Sequence, residues 1–187
     1  AGSVCPLMVT RADKSSANRL TTLTEFLKLE ENRGHEDAMA IVRRGFHLDR
    51  GIDYYDHRAL YGADADCEQT RNIFRAFLKM DLLVESAVAL STEVLAAAET
   101  QAYYEIADLI SDGDLDLSGS YGANSITQIL IISGVPQDSA TVAAEYLVQK
   151  CREIESLDVC NPAKFTQIVA SRTVALDFFD AFKDGNA

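Results

Sequence analysis

The chain has 187 residues, of which 48% are hydrophobic and 25% are charged, and it contains no tryptophan. This composition fits one globular domain and excludes an intrinsically disordered protein. The formal net charge of −12 argues against binding to nucleic acids or to an anionic membrane surface, because both require clustered lysine and arginine.

The N-terminal part of the chain is predicted to contain two helical regions. Residues 1–14 are interpreted as an irregular lead-in, and a first helix is expected to begin near Ser15 or Ser16, because serine is a good N-cap. Its apolar residues follow helical spacing until Gly34 provides a stop. A second helical region, weakened by internal glycines, is expected from residue 35 to about residue 61.

The central part of the chain has the clearest helical pattern. From residue 64 to residue 110 the sequence contains neither glycine nor proline. Apolar residues recur there at helical spacing, namely Ile73, Phe77, Met80, Val84, Ala87, Val94, Ala98, Ala102 and Ile106. The pattern predicts either one very long helix or two helices that break near Thr100, and typical helix lengths favour the break.

The C-terminal part is predicted to form three more helices. A glycine- and serine-rich connector, residues 111–125, leads into a short helix that ends near Ser133. Asp138 or Ser139 caps the next helix, and a last, very apolar helix opens at Asn161.

Together these elements describe one helical domain. We predict an all-α bundle of about six or seven helices over residues 15–184, with its long helical region at 64–110 and a tail at 185–187. No apolar run approaches the roughly 20 residues that a membrane span needs. The sequence does not indicate a compartment, and a secreted, periplasmic or cytoplasmic protein is compatible with it.

The connector carries Asp112, Asp114 and Asp116 at alternate positions, as a calcium loop would. Such a loop needs glycine at its sixth position and a bidentate glutamate at its twelfth. Counting from Asp112, these positions hold Leu117 and Ala123. The pattern therefore favours a simple connector, and the three aspartates stay weak metal candidates.

The three histidines all fall in the second helical region. Asp53 and His57 are four residues apart, so on a helix they would share a face and offer two ligands to a metal. The Glu-x-x-His pairs of carboxylate-bridged metal bundles are absent. This pair is therefore a weak metal candidate, and surface ion pairing is the favoured interpretation.

The four cysteines form no Cys-x-x-Cys motif, which argues against a zinc ribbon or a thioredoxin-type centre. Their even number permits disulfides. Independent thiols, some of them buried as small apolar groups, are the favoured interpretation. Among the possible disulfides, the pair to test first is Cys151 with Cys160, because a helix end and the following turn could bring them together.

Two segments have the composition of partner-binding surfaces. The segment DYYDHRALY combines aromatic area with polar tips, which is typical of interfaces, although packing against the bundle explains it equally well. The apolar residues of the last helix nearly encircle it, which indicates either a central position or contact with another molecule. The predicted partner-binding residues are Tyr54, Tyr55, Arg58, Tyr61, Phe179 and Phe182.

Three functions remain open from the sequence. The leading hypothesis is a non-enzymatic protein that binds a partner protein or self-associates. The second is a metal-dependent or otherwise catalytic bundle that uses the region of Asp53 and His57. The third is a carrier of an apolar small molecule in a core lined by Phe74, Phe77, Phe165 and Phe178. Nucleophile-elbow, phosphate-loop and dinucleotide motifs are absent, so the sequence leans away from an enzyme and predicts no cofactor.

Overall fold

The computed structural model describes residues 17–51, 53–56, 60 and 66–157. These residues form six α-helices and no strand, which confirms the predicted all-α bundle. The helices are α1 (Arg19–Glu31), α2 (His35–Gly45), α3 (Cys67–Leu90), α4 (Leu95–Asp112), α5 (Gly122–Ile132) and α6 (Gln137–Ser156). The predicted lead-in, last helix and tail lie outside the described residues.

Helix α1 is capped by Asn18, whereas the predicted caps, Ser15 and Ser16, lie outside the described residues. The Asn18 side chain accepts hydrogen bonds from the backbone N–H groups of Leu20 and Thr21, both at 3.0 Å. The Thr21 hydroxyl in turn accepts from the Asn18 N–H at 2.9 Å, so that a capping box closes. This arrangement satisfies N–H groups that the start of a helix otherwise leaves without partners.

Helix α2 is shorter than the predicted second region, because the chain leaves helical geometry after Gly45. Two residues later, His47 adopts a left-handed backbone with φ of 52°. Gly45 also brings α2 close to α4, since a Cβ atom at this position would lie 2.1 Å from Cγ1 of Ile110. The glycine that weakens this helix is thus needed for its packing.

The long central region is two helices, but they separate at residues 91–94 and not near Thr100, which lies inside α4. The predicted position was wrong because a tertiary contact fixes the break. The Ser91 hydroxyl donates to the Ser133 carbonyl at 2.6 Å and accepts from the Glu93 N–H at 2.9 Å. Val94, which the predicted stripe placed in the core, occupies the N-cap position of α4 and is 73% exposed.

One continuous hydrophobic core lies between the six helices. Helices α5 and α6 form a hairpin, and α3 packs against both α4 and α6. Apart from Val94 and the half-buried Phe77, the predicted stripe of α3 and α4 is buried as expected. The largest fully buried apolar side chains include Leu20, Leu23, Leu27, Ile73, Met80, Leu83, Ile106 and Ile110. None of the described helices is long and apolar enough to cross a membrane.

Candidate functional site

Tyr54 and Tyr55, two of the predicted partner-binding residues, belong to the core. Both are fully buried, and their rings stack with centroids 5.4 Å apart. The Tyr54 hydroxyl hydrogen bonds with that of Thr24 at 2.8 Å, and the Tyr55 hydroxyl donates to the Glu25 carboxylate at 3.0 Å. Burial raises the pKa of both phenols. The partner-binding interpretation of these two tyrosines is therefore corrected, since neither offers a surface to a partner.

The other predicted partner-binding residues cannot be placed on this framework. Arg58, Tyr61, Phe179 and Phe182 lie outside the described residues. The same holds for Phe165 and Phe178 of the predicted apolar cavity. The remaining two members, Phe74 and Phe77, are half-buried and meet edge to face at 5.9 Å.

The predicted metal pair is not supported by helical geometry at Asp53. This residue precedes a turn, and its carboxylate accepts the Tyr55 N–H at 2.9 Å. His57 lies outside the described residues. Within the described part of the chain, no group of three or more histidine, cysteine or acidic side chains is placed to hold a metal ion.

Cys151 is a free thiol, so the disulfide with Cys160, the first pair to test, does not form. Its side chain is fully buried in α6, and burial raises its pKa to about 12. A buried thiol of this kind acts as a small apolar group. Cys67, at the start of α3, is disulfide-bonded.

A buried ion cluster that the sequence analysis missed joins α1, α3 and α4. The Arg19 side chain is only 3% exposed. Its guanidinium donates to Asp81 at 2.8 Å and to Glu99 at 2.6 Å, while Glu85 lies 4.0 Å away. Tyr103 completes the cluster by accepting from Arg19 at 3.0 Å.

The Arg19 cluster is structural rather than an open site. Burial by itself would lower the pKa of Arg19, but Tyr103, Asp81 and Glu99 outweigh it and raise the pKa. The guanidinium lies within 4.0 Å of all three carboxylates. The sequence holds one indication of this buried cluster. Arg19 shares the apolar face of α1 with Leu23 and Phe26.

The candidate functional site is an acidic cleft between the second half of α4 and the first half of α5. Its volume is about 830 Å³, and the connector after α4 forms one wall. Five carboxylates line it, and among the described residues no lysine, arginine or histidine contributes to its lining. The acidic side chains are Glu105, Asp108, Asp112, Asp114 and Asp116.

Asp116 organises the connector wall of the acidic cleft. Its carboxylate accepts the backbone N–H groups of Ser118, Gly119 and Tyr121 at 3.1, 2.6 and 2.9 Å. Burial alone would raise the pKa of Asp116, but these three donors and Arg152 outweigh it and lower the pKa. Asp116 thus shapes a turn.

The connector is also anchored to α6. Arg152 donates from Nε to the Ser118 carbonyl at 2.7 Å and from Nη2 to the Gly119 carbonyl at 3.3 Å. The Ser118 hydroxyl donates to Glu155, which also accepts from Lys79 at 2.6 Å. Because Arg152 and Glu155 of α6 hold the connector and Lys79 of α3 holds Glu155, the wall is fixed before any ligand arrives.

The Ser118–Glu155 contact is poorly suited to nucleophilic catalysis. Burial would raise the pKa of Glu155, but the hydrogen bonds from Lys79 and Ser118 outweigh it and lower the pKa. A carboxylate with a lowered pKa is a weak general base. This pair therefore fastens the connector.

The opposite wall and the rim of the acidic cleft differ in exposure. Glu105 is 8% exposed and accepts a hydrogen bond from the Gln128 amide. Asp108 and Asp112 are exposed at the rim, and the Tyr121 side chain is 69% exposed. The acidic cleft thus combines one buried, hydrogen-bonded carboxylate with exposed carboxylates and an exposed aromatic ring.

Comparison with known proteins adds no assignment to this geometry. No protein-family model matches the sequence, and no curated protein or solved structure matches it significantly. The chemistry of the acidic cleft is therefore the basis for a functional conclusion.

Proposed function

We propose that this protein binds a partner protein and that the acidic cleft receives a lysine- or arginine-rich segment of the partner. The observation that carries the proposal is the convergence of five carboxylates on one cleft, to which the described part of the chain contributes no basic residue. A cleft lined by charges of one sign focuses the electrostatic potential and attracts ions of the opposite sign. Carboxylates also accept strong, charge-assisted hydrogen bonds from lysine and arginine.

The rigidity and the size of the acidic cleft support the same proposal. Arg152 and Asp116 fix the connector wall through five hydrogen bonds. A wall that is already ordered loses little conformational entropy when a partner binds. The volume of about 830 Å³ suits a few side chains of a peptide segment. The exposed ring of Tyr121 can accept a cation over its face.

The same observation favours a cationic partner over self-association through this cleft. A second copy of the chain would bring its own net charge of −12 to an acidic surface. Juxtaposed like charges oppose association. A protein with a basic segment would instead be attracted to the cleft. Salt limits the range of this electrostatic attraction to about 8 Å at physiological ionic strength.

The test uses decalysine as a cationic probe and compares two variants of equal charge. Asp108→Asn with Asp112→Asn removes two charges at the rim of the acidic cleft, where no hydrogen bond of the connector depends on them. The control, Glu93→Gln with Glu145→Gln, removes two exposed charges elsewhere. Both variants change the formal net charge from −12 to −10. Binding is measured by isothermal titration calorimetry at low and at physiological salt.

We expect the cleft variant to bind decalysine roughly 5- to 30-fold more weakly than the unmodified protein, since each exposed ion pair contributes about 0.5–1 kcal/mol. The control variant should change the Kd less than about twofold. Affinity should also fall as salt rises. Equal losses in the two variants would show that binding follows net charge alone and would refute a role for the cleft. Absence of decalysine binding at low salt would refute the proposal as a whole.

A further inference from the structure

We draw no further inference here: the strongest candidate, the exposed apolar side chains of Val94, Leu95 and Ile132 at the end of the bundle where the α3–α4 turn meets the α5–α6 turn, carries nothing because no feature of the described residues shows what covers it.

Discussion

The buried guanidinium of Arg19 allows a direct test of how the first helix is held. Replacing Arg19 with methionine keeps an unbranched side chain of similar length but removes the positive charge from among Asp81, Glu85 and Glu99. Hydrogen bonds of 2.8 Å to Asp81 and 2.6 Å to Glu99 disappear, as does the contact with Tyr103. The three carboxylates then repel one another without a cation between them.

The expected loss follows from the burial of the cluster. Breaking a buried ion pair by removing one partner typically costs about 3–5 kcal/mol. Asp81 and Glu85 retain side-chain exposures of 30% and 23%, so water can partly rehydrate them. Glu99 is only 11% exposed and recovers less hydration. We therefore expect Arg19→Met to lower the free energy of unfolding by about 3 kcal/mol, at the lower end of that range, out of a total of about 5–15 kcal/mol for an ordinary domain.

The assay is urea unfolding at pH 7, followed by far-UV circular dichroism. Arg44→Met provides the control, because Arg44 lies exposed in the last turn of α2 and should change stability by less than about 0.5 kcal/mol. Adding Glu99→Met to Arg19→Met should restore about 1–2 kcal/mol, since it removes one of the repelling charges. A loss for Arg19→Met no greater than that for Arg44→Met would refute the view that the cluster holds α1 in place.

Three further variants or measurements test other parts of the structure. Asp116→Ala should lower the free energy of unfolding by about 2 kcal/mol at pH 7, as expected for lost hydrogen bonds to a charged group. Because folding lowers the pKa of Asp116 below its ordinary 3.8, this contribution is complete above that pH and should vanish in urea titrations at lower pH. Gly45→Ala should destabilise the protein by about 1–3 kcal/mol, because the new methyl group would overlap Ile110, whereas Gly51→Ala, with no atom within 4 Å, should be nearly neutral in the same titrations. Cys151 should resist iodoacetamide at pH 8 in the folded protein and react after unfolding in urea, because its thiol is buried and has a pKa of about 12. Rapid labelling of Cys151 in the folded protein, detected by mass spectrometry, would contradict this burial.

The spacing of apolar residues along the chain was enough to predict that the protein is all-helical. The spacing of Ile73, Met80 and Val84 placed them on one face of α3, and all three are buried. The composition of the connector predicted the interruption between α4 and α5. Such predictions succeed because the position of a residue on a helix depends only on its distance along the chain.

The candidate site and the buried groups depended on packing between distant segments. Ser91 ends α3 by bonding to Ser133, which lies 42 residues later. Tyrosine is a residue type typical of interfaces, yet Tyr54 is buried and its hydroxyl forms a hydrogen bond with that of Thr24.

The acidic, all-helical character of the chain and the approximate positions of its longest helical region and its connector follow from the order of its residues. The enclosure of Arg19 by carboxylates of two other helices, and the cleft that Glu105 shares with Asp116, depend on how the helices pack. The physical reason is that spacing along a helix fixes which residues share a face, whereas the relative placement of the helices fixes which faces meet.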